Sequence, residues 1–509
     1  MSVKKRVTYC QISLKFFLSE YFRKTLIALI IVFFSFNFSY SQNYLHRFER
    51  QNITKKLDDY LTEYYRNRDV ASISAGIWHR GKIVWLAARG YADLGNKIPA
   101  TTNTKYRIAS ISKVITAVAV MQLVENGKIK LDDDARKYIP YFPKKKWKFT
   151  VRQILQHTAG LRTYKTGEFN STSEYPTTED AVNVISRDPL VFRPGTKFLY
   201  TTLGYNLLAA IIEKVSGIDF NNYLIKNIFI PAGMTSTYLD IHKEIIPDRA
   251  KGYVKNLYRK FENAPLSDLS IKYAGGGIIS TAQDILKFAG CLLNGKLIKH
   301  STLDSMIVPA KLSNGKILDT GLGFDLKYDK NHKYFFGHYG HGTGFLSLLA
   351  IFPKDSTVVV HLVNTADRNV DEPALDLAAI YLENSFIYPP ISLADRMMDL
   401  TLHSSIDSAL KQYDVIKKDS SYFYDLSANE LNNFGYDLLK IKKHSEAIKW
   451  FKKFCEDFPN DTSAFIGLGD SYLNDNNLGL ALKAYRKVLS IDSNNSYAKK
   501  MIQKLDSLE

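Results

Sequence analysis

A serine hydroxyl, a lysine amine three residues further on and a tyrosine phenol ninety residues past the serine are the groups here whose types and spacing could do chemistry together. Ser110-Ile111-Ser112-Lys113 opens an apolar, helix-forming run through Val124 that Asn126-Gly127 would stop. A helix starting there puts Ser110 at its positive N-terminal end and Lys113 one turn later on the same face. An amine so placed can take the hydroxyl's proton, and the serine becomes a nucleophile without a histidine. Tyr200 follows the turn at Arg193-Pro194-Gly195 and precedes the helical run from Ala209 to Gly217. A phenol beside a lysine ammonium would lose its proton more easily and could serve as a base.

Other chemically suggestive residues read as structural. His157 ends a short helix, Val151 to Leu161, closed by Gly160; a histidine there complements the helix dipole and bonds local backbone. Lys165-Thr166-Gly167 sits among loop residues rather than opening a buried strand, and reads as a decoy. Gly275-Gly276-Gly277 has no lysine or acidic partner at phosphate-loop spacing, so a tight backbone turn bordering a pocket is the better account. In Phe336-Gly337-His338-Tyr339-Gly340-His341, Gly340 would let a substrate backbone approach a strand edge, and His338 would face the cleft.

The elements that must hold these groups follow from the pattern around them. Ser72 to Tyr91 reads as a two-stranded hairpin turning at Arg80-Gly81. Leu346 to Phe352 and Thr357 to Val363 are apolar strands, and Asp376 to Leu382 is a closing helix. Residues 162–198, rich in Thr, Ser, Gly and Pro, form a long excursion over the site. Pro389-Pro390 marks a boundary, followed by a helical linker. Beyond it, a shift of 34 residues brings Gly435 onto Gly469, Leu439 onto Leu473, Ala447 onto Ala481 and Phe451 onto Tyr485, the tetratricopeptide pattern. Two units fall short of the roughly three needed for independence, so the preceding helix or the first domain completes the stack.

At 509 residues, 45% hydrophobic and 23% charged, the chain has room for more than one globular domain. Its formal charge is +17, of which residues 1–42 carry +5; the rest is dispersed, with no basic face interleaved with aromatics, so no nucleic acid partner is expected. Positive residues, the apolar Thr25 to Phe36 and Ser39-Tyr40-Ser41 read as an export signal cleaved near Ser41, giving a periplasmic or extracellular protein. An uncleaved anchor is the alternative, although the apolar run is shorter than the ~18–20 residues of a span. Cys10 leaves with the signal, and Cys291 and Cys455 lie in different domains, so neither a disulfide nor a zinc site is expected.

Taken in order, Ser110-x-x-Lys113, Tyr200 and Gly337-His338-x-Gly340 before a strand resemble the serine β-lactamase and penicillin-binding protein superfamily, most closely its class C branch. Flanking Gly90-Tyr91-Ala92-Asp93, His157-Thr158-Ala159-Gly160-Leu161, Arg193-Pro194-Gly195 and Gly275-Gly276 agree, over roughly residues 55–385. Tyr200-Thr201-Thr202, and a histidine where class C enzymes usually have the lysine of Lys-Thr-Gly, look most like the mitochondrial serine β-lactamase-like proteases. The resemblance implies an α/β fold, an antiparallel sheet flanked by helices plus an all-helical subdomain, followed here by a small helical repeat domain. It implies acyl transfer through an ester on Ser110, with Lys113 and Tyr200 as general base and acid, and backbone N–H groups of Ser110 and His341 as oxyanion hole. Thr202, His338 and Gly340 would contact substrate, His338 by binding a carboxylate or polarising Tyr200; no metal or cofactor is implied. The domains expected are a signal peptide at 1–41, the catalytic domain at 42–388, a linker at 389–424 and repeats at 425–509. An exported hydrolase of peptides, D-amino-acid peptides or esters, with the repeats docking a protein partner, is the first reading. A weakly catalytic sensor and a true class C-type β-lactamase are the alternatives.

Overall fold

The computed structural model describes residues 52–366, 373–385, 387–419 and 421–507, apart from the side chain of Tyr422. The expected signal peptide and Cys10 lie outside the described residues. Contacts divide the chain after residue 58. Everything below concerns the unit from Asp59 onward.

A seven-stranded sheet is the frame. Its strands are β1 (Ser72–His79), β2 (Lys82–Asp93), β3 (Ile98–Pro99), β4 (Asp325–Tyr328), β5 (Tyr334–Gly342), β6 (Phe345–Phe352) and β7 (Thr357–Val363). They lie in the order β3-β2-β1-β7-β6-β5-β4, antiparallel throughout, so the first hairpin joins the last strands through β1 and β7. The turn at Arg80-Gly81 has both residues at positive φ. Alternation of buried and exposed residues does not hold on β1: Ser72 to Trp78 are all buried, because the strand is central and covered on both faces. On β7, Val358, Val360 and Leu362 join the main core with Leu286 and Phe288, while His361 on the other face accepts the Ala374 N–H. The helices responsible are Ala282–Leu293 and Pro373–Glu383.

Helix α1 (Ile111–Glu125) runs through the interior with twelve residues buried, among them Ser112, Lys113 and Thr116. Helix α2 (Val151–Leu155) is shorter than expected. It opens on a Thr150–Gln153 capping box and stops before His157, which itself takes the left-handed conformation (φ 57°). Gly160 turns the chain a second time instead of closing the helix, its carbonyl accepting the Val191 N–H. Helix α3 (Tyr205–Ser216) packs against α1 and ends at left-handed Gly217.

The C-terminal region is helical apart from one short parallel pair, Ile391–Ser392 with Tyr424–Asp425. Its four longest-spaced members, Ala428–Lys440, His444–Asp457, Thr462–Asn474 and Leu478–Ile491, are two hairpins whose bounds coincide after a shift of 34 residues. The glycines picked out by that period have a packing reason. A β-carbon on Gly435 would lie 2.4 Å from the Phe451 ring, and one on Gly469 2.6 Å from the Tyr485 ring. The stretch expected as a linker is a pair of helices, Leu393–His403 and Ile406–Asp419. Met397, Ala409 and Tyr413 from these helices share one core with Phe434 and Trp450 of the first hairpin. The final helix, Ser496–Asp506, packs Ala498 and Leu505 into a second core with Tyr485. Among the described residues no helix is long and apolar enough to cross a membrane, and no cluster could hold a metal ion. Cys291 and Cys455 are unpaired.

Candidate active site

The chain reaches Ser110 through a strained step. Ala109 is held at φ 46°, a conformation that costs a non-glycine residue about 1–2 kcal/mol, and the helix begins one residue after the serine. The N–H groups of Ile111 and Ser112 are taken by the carbonyls of Ile108 and Ala109. Beside this turn passes β5, whose even-numbered residues share one face. Gly340 and Gly342 lie against Ala109: a β-carbon on either would be 3.3 Å from that of Ala109, and one on Gly340 would also stand 2.0 Å from Ser347 Oγ and 2.5 Å from the Ile108 carbonyl. Ser347 Oγ donates to that carbonyl at 2.9 Å and ties the sheet to the nucleophile turn. Glycine at 340 is therefore a steric requirement of the close approach between sheet and serine.

Ser110, Lys113 and Tyr200 meet at hydrogen-bonding range. The Tyr200 hydroxyl donates to Ser110 Oγ at 2.7 Å, and Lys113 Nζ lies 3.0 Å from the same oxygen. Lys113 Nζ also donates to the Gly275 carbonyl at 2.6 Å and to Thr202 Oγ1 at 3.1 Å. Lys113 is fully buried with no carboxylate against it, and burial holds its amine well below the ordinary lysine range. An uncharged amine has two N–H groups and one lone pair. Nζ is placed to donate to Ser110, Gly275 and Thr202; once deprotonated it can keep the last two bonds and turn its lone pair to Ser110 Oγ. Thr202, expected to touch substrate, is thus a partner of the lysine, and the Gly275 turn is pressed against it, 2.6 Å from the Thr202 carbonyl to a would-be β-carbon.

Tyr200 departs from the expectation that it ionises easily. Burial pushes its hydroxyl up, well above the ordinary phenol range, more than the hydrogen bond to Ser110 draws it down. It is a proton donor in this site, not a phenolate. His157 holds it in place. The His157 carbonyl accepts the Leu199 N–H at 2.9 Å, its Nδ1 accepts the Thr201 N–H at 3.2 Å, and the two rings lie 4.5 Å apart. Burial keeps His157 well below its usual range, so it is uncharged and the expected dipole complement does not apply.

His338 is on the nucleophile face of β5, buried, its ring 6.0 Å from that of Tyr200. Its Nδ1 lies 2.6 Å from the Tyr339 carbonyl and 3.8 Å from Asp325 Oδ2, and burial lowers its pKa. His341 is solvent-exposed two residues beyond Tyr339. In Lys165-Thr166-Gly167, which opens no strand, Lys165 pairs with Asp188 at 2.7 Å. Three contributors escaped the sequence reading. Asp325 sits opposite Gly337 on a four-residue edge strand with no strong strand signal. Lys272 is buried, its pKa lowered to about 8 by burial and by Arg107, and it donates to the Phe169 carbonyl at 2.5 Å. Asn170 accepts from Thr343 Oγ1 at 2.5 Å, so the excursion is tied to the turn after β5.

Known proteins bear on this geometry. The family described as Beta-lactamase matches residues 57–382. The human serine beta-lactamase-like protein LACTB, mitochondrial (Homo sapiens), is 29% identical over 377 residues, 56% of this chain and 69% of that protein. Its Mus musculus counterpart is 32% identical over 298 residues, 44% of this chain, and the chain spans only 54% of that relative's length. Among solved structures, the octameric penicillin-binding protein homologue from Pyrococcus abyssi superposes with a TM-score of 0.56 at 25% identity, over 65% of this chain and 77% of that one. D-amino acid amidase from Ochrobactrum anthropi SV3, complexed with L-phenylalanine amide, gives 0.56 at 26% identity, over 66% of this chain and 100% of that one. With the family matched across most of its length and the sheet, the buried helix and the serine turn in place, this chain belongs to the beta-lactamase family, within the penicillin-binding protein-like serine hydrolase superfamily.

Proposed function

We propose that the protein is an exported hydrolase that cleaves small amides, peptides or esters through an acyl-enzyme on Ser110. The observation that carries this is the convergence of two groups on Ser110 Oγ: Lys113 Nζ at 3.0 Å, itself held by the Gly275 carbonyl and Thr202 Oγ1, and the Tyr200 hydroxyl at 2.7 Å. In the first half-reaction Ser110 Oγ bonds to the carbonyl carbon and its proton passes to Lys113 Nζ. The oxyanion is held by the N–H groups of Ser110 and His341, and Ala109 sets the direction of the first. The bond to the leaving group then breaks as Tyr200, already hydrogen-bonded at 2.7 Å to the attacking oxygen, donates its proton to that group. The lysine ammonium, 4.7 Å from the phenol ring, returns a proton to Tyr200. Water repeats the sequence in reverse and frees the serine.

Export rests on the signal-like residues 1–41, ahead of a catalytic domain read at 42–388. The 34-residue hairpins at 425–509 are read as tetratricopeptide-like and as a docking surface for a protein partner. The test is turnover of aryl esters, D-amino-acid amides, D-Ala-D-Ala peptides and a cephalosporin by the purified chain and by Ser110→Ala. Hydrolysis of at least one ester or amide, lost in the variant, is expected. Turnover that survives Ser110→Ala would refute the assignment.

A further inference from the structure

The leaving-group end of the cleft carries an acid that the acyl-transfer reading does not use. Tyr200 protonates the departing group in that reading, and His338 is the side chain next to it on β5. Asp325, opposite Gly337 on the neighbouring strand, brings Oδ2 to 3.8 Å from His338 Nδ1. The Nδ1 atom is also 2.6 Å from the Tyr339 carbonyl, which can only accept, so Nδ1 carries the hydrogen and Nε2 is left as the acceptor of the neutral ring.

We propose that Asp325 and His338 together leave this end of the cleft without positive charge, so that the enzyme takes esters and amides whose leaving group bears no carboxylate. The charge count holds in either protonation state. With neutral His338 the pair carries −1, and with protonated His338 it carries zero, whereas a lysine in that place and no acid behind it would carry +1. The other groups facing His338 do not restore the charge. Lys113 is fully buried and its hydrogens are directed to Gly275, Thr202 and Ser110; Tyr200 and His157 are uncharged. A leaving-group carboxylate brought here would be desolvated against a like charge or against none, which is unfavourable in both cases. This inference rests on the Ser110 acyl-transfer reading. It narrows that reading to ester and amide leaving groups such as alcohols and amines, away from C-terminal D-amino acids and β-lactams with a ring carboxylate.

The test compares two esters of acetylglycine, phenyl and 3-carboxyphenyl, each normalised to its hydroxide-catalysed rate, on the full chain at pH 7.5. The expected kcat/KM ratio favours the phenyl ester by about tenfold or more. Asp325→Asn removes the negative charge and should narrow the ratio several-fold through the carboxyphenyl ester, as should His338→Lys, which serves where the first variant folds poorly. A wild-type ratio near or below one, or a ratio unmoved in both variants, overturns the leaving-group inference while the hydrolase reading stands. Turnover of neither ester overturns both.

Discussion

At the residue scale, burial decides the direction in which protons move. Enclosure lowers the pKa of the Lys113 amine and raises that of the Tyr200 phenol, by the same desolvation of the charged form. A lysine base whose pKa is lowered by burial puts the acid limb of kcat/KM for a neutral ester below the ordinary lysine range, with activity level above it. The sign follows from the lowered folded pKa: the competent form is lost as pH falls through that value, not gained near the ordinary lysine pKa. Lys113→Arg, charged at every working pH, should lose about 10²–10⁴ in kcat with the fold intact by circular dichroism. A pH profile that rises only toward pH 10 would contradict the account. That Ser110, Lys113 and Tyr200 belong together was legible from their types and order, and the three do meet at hydrogen-bonding range. Their proton states were not, since the enclosure that shifts them comes from Gly275, His157 and Tyr205, brought in from distant segments.

At the element scale, the site exists because a strand edge is pressed onto a helix start. Gly340 is the point of closest approach, so Gly340→Ala should push β5 away from Ala109. The expected cost is about 1–3 kcal/mol of stability, measured by denaturant titration, together with a larger loss of kcat than of KM because the oxyanion N–H moves with the strand. Unchanged stability would mean that the strand and the Ile108 carbonyl are not locked together as the Ser347 hydrogen bond indicates. Hairpins, apolar strands and the buried helix could be read in advance from runs of residues. The end of α2 could not: Gly160 looked like its stop, but the left-handed turn falls on His157, whose ring is needed against Tyr200. The edge strand carrying Asp325 was equally silent, being four residues between polar turns.

At the scale of the whole molecule, the C-terminal helices are fastened to the catalytic domain by charge as well as by packing. Lys255, 1% exposed, lies 3.1 Å from both Asp69 and Asp395, and Arg259 pairs with Asp395 as well. Close by, Glu430 accepts from Ser392 Oγ and Ala394 N, each at 2.9 Å, and burial still raises its pKa from 4.5 to about 7. A raised acid favours the folded state below its unfolded pKa and loses that advantage as pH climbs to the folded value. The helical region should therefore be more stable at pH 5 than at pH 8, by an amount on the order of 3 kcal/mol from this group alone. Glu430→Gln should flatten that dependence in denaturant titrations followed at Trp450, and a wild-type stability that rises from pH 5 to 8 and is insensitive to the substitution would contradict it. The 34-residue period was plain in the sequence. Its shortfall of units also pointed to the preceding helix, whose Ala409 and Tyr413 do join that core; that Met397 of the helix before it joins as well was not legible, because Pro389-Pro390 marks a break in pattern and says nothing about what packs on either side.

The central claim is that Ser110 is acylated with Lys113 as its base, and mass spectrometry of the trapped intermediate tests it most directly. Wild-type protein quenched within seconds of mixing with a slow-deacylating aryl ester should carry one acyl group, located on the peptide containing Ser110. Ser110→Ala should carry none, and Lys113→Arg should acquire the group at least about a hundredfold more slowly. An adduct on any other residue, or acylation of Lys113→Arg at the wild-type rate, would contradict the account.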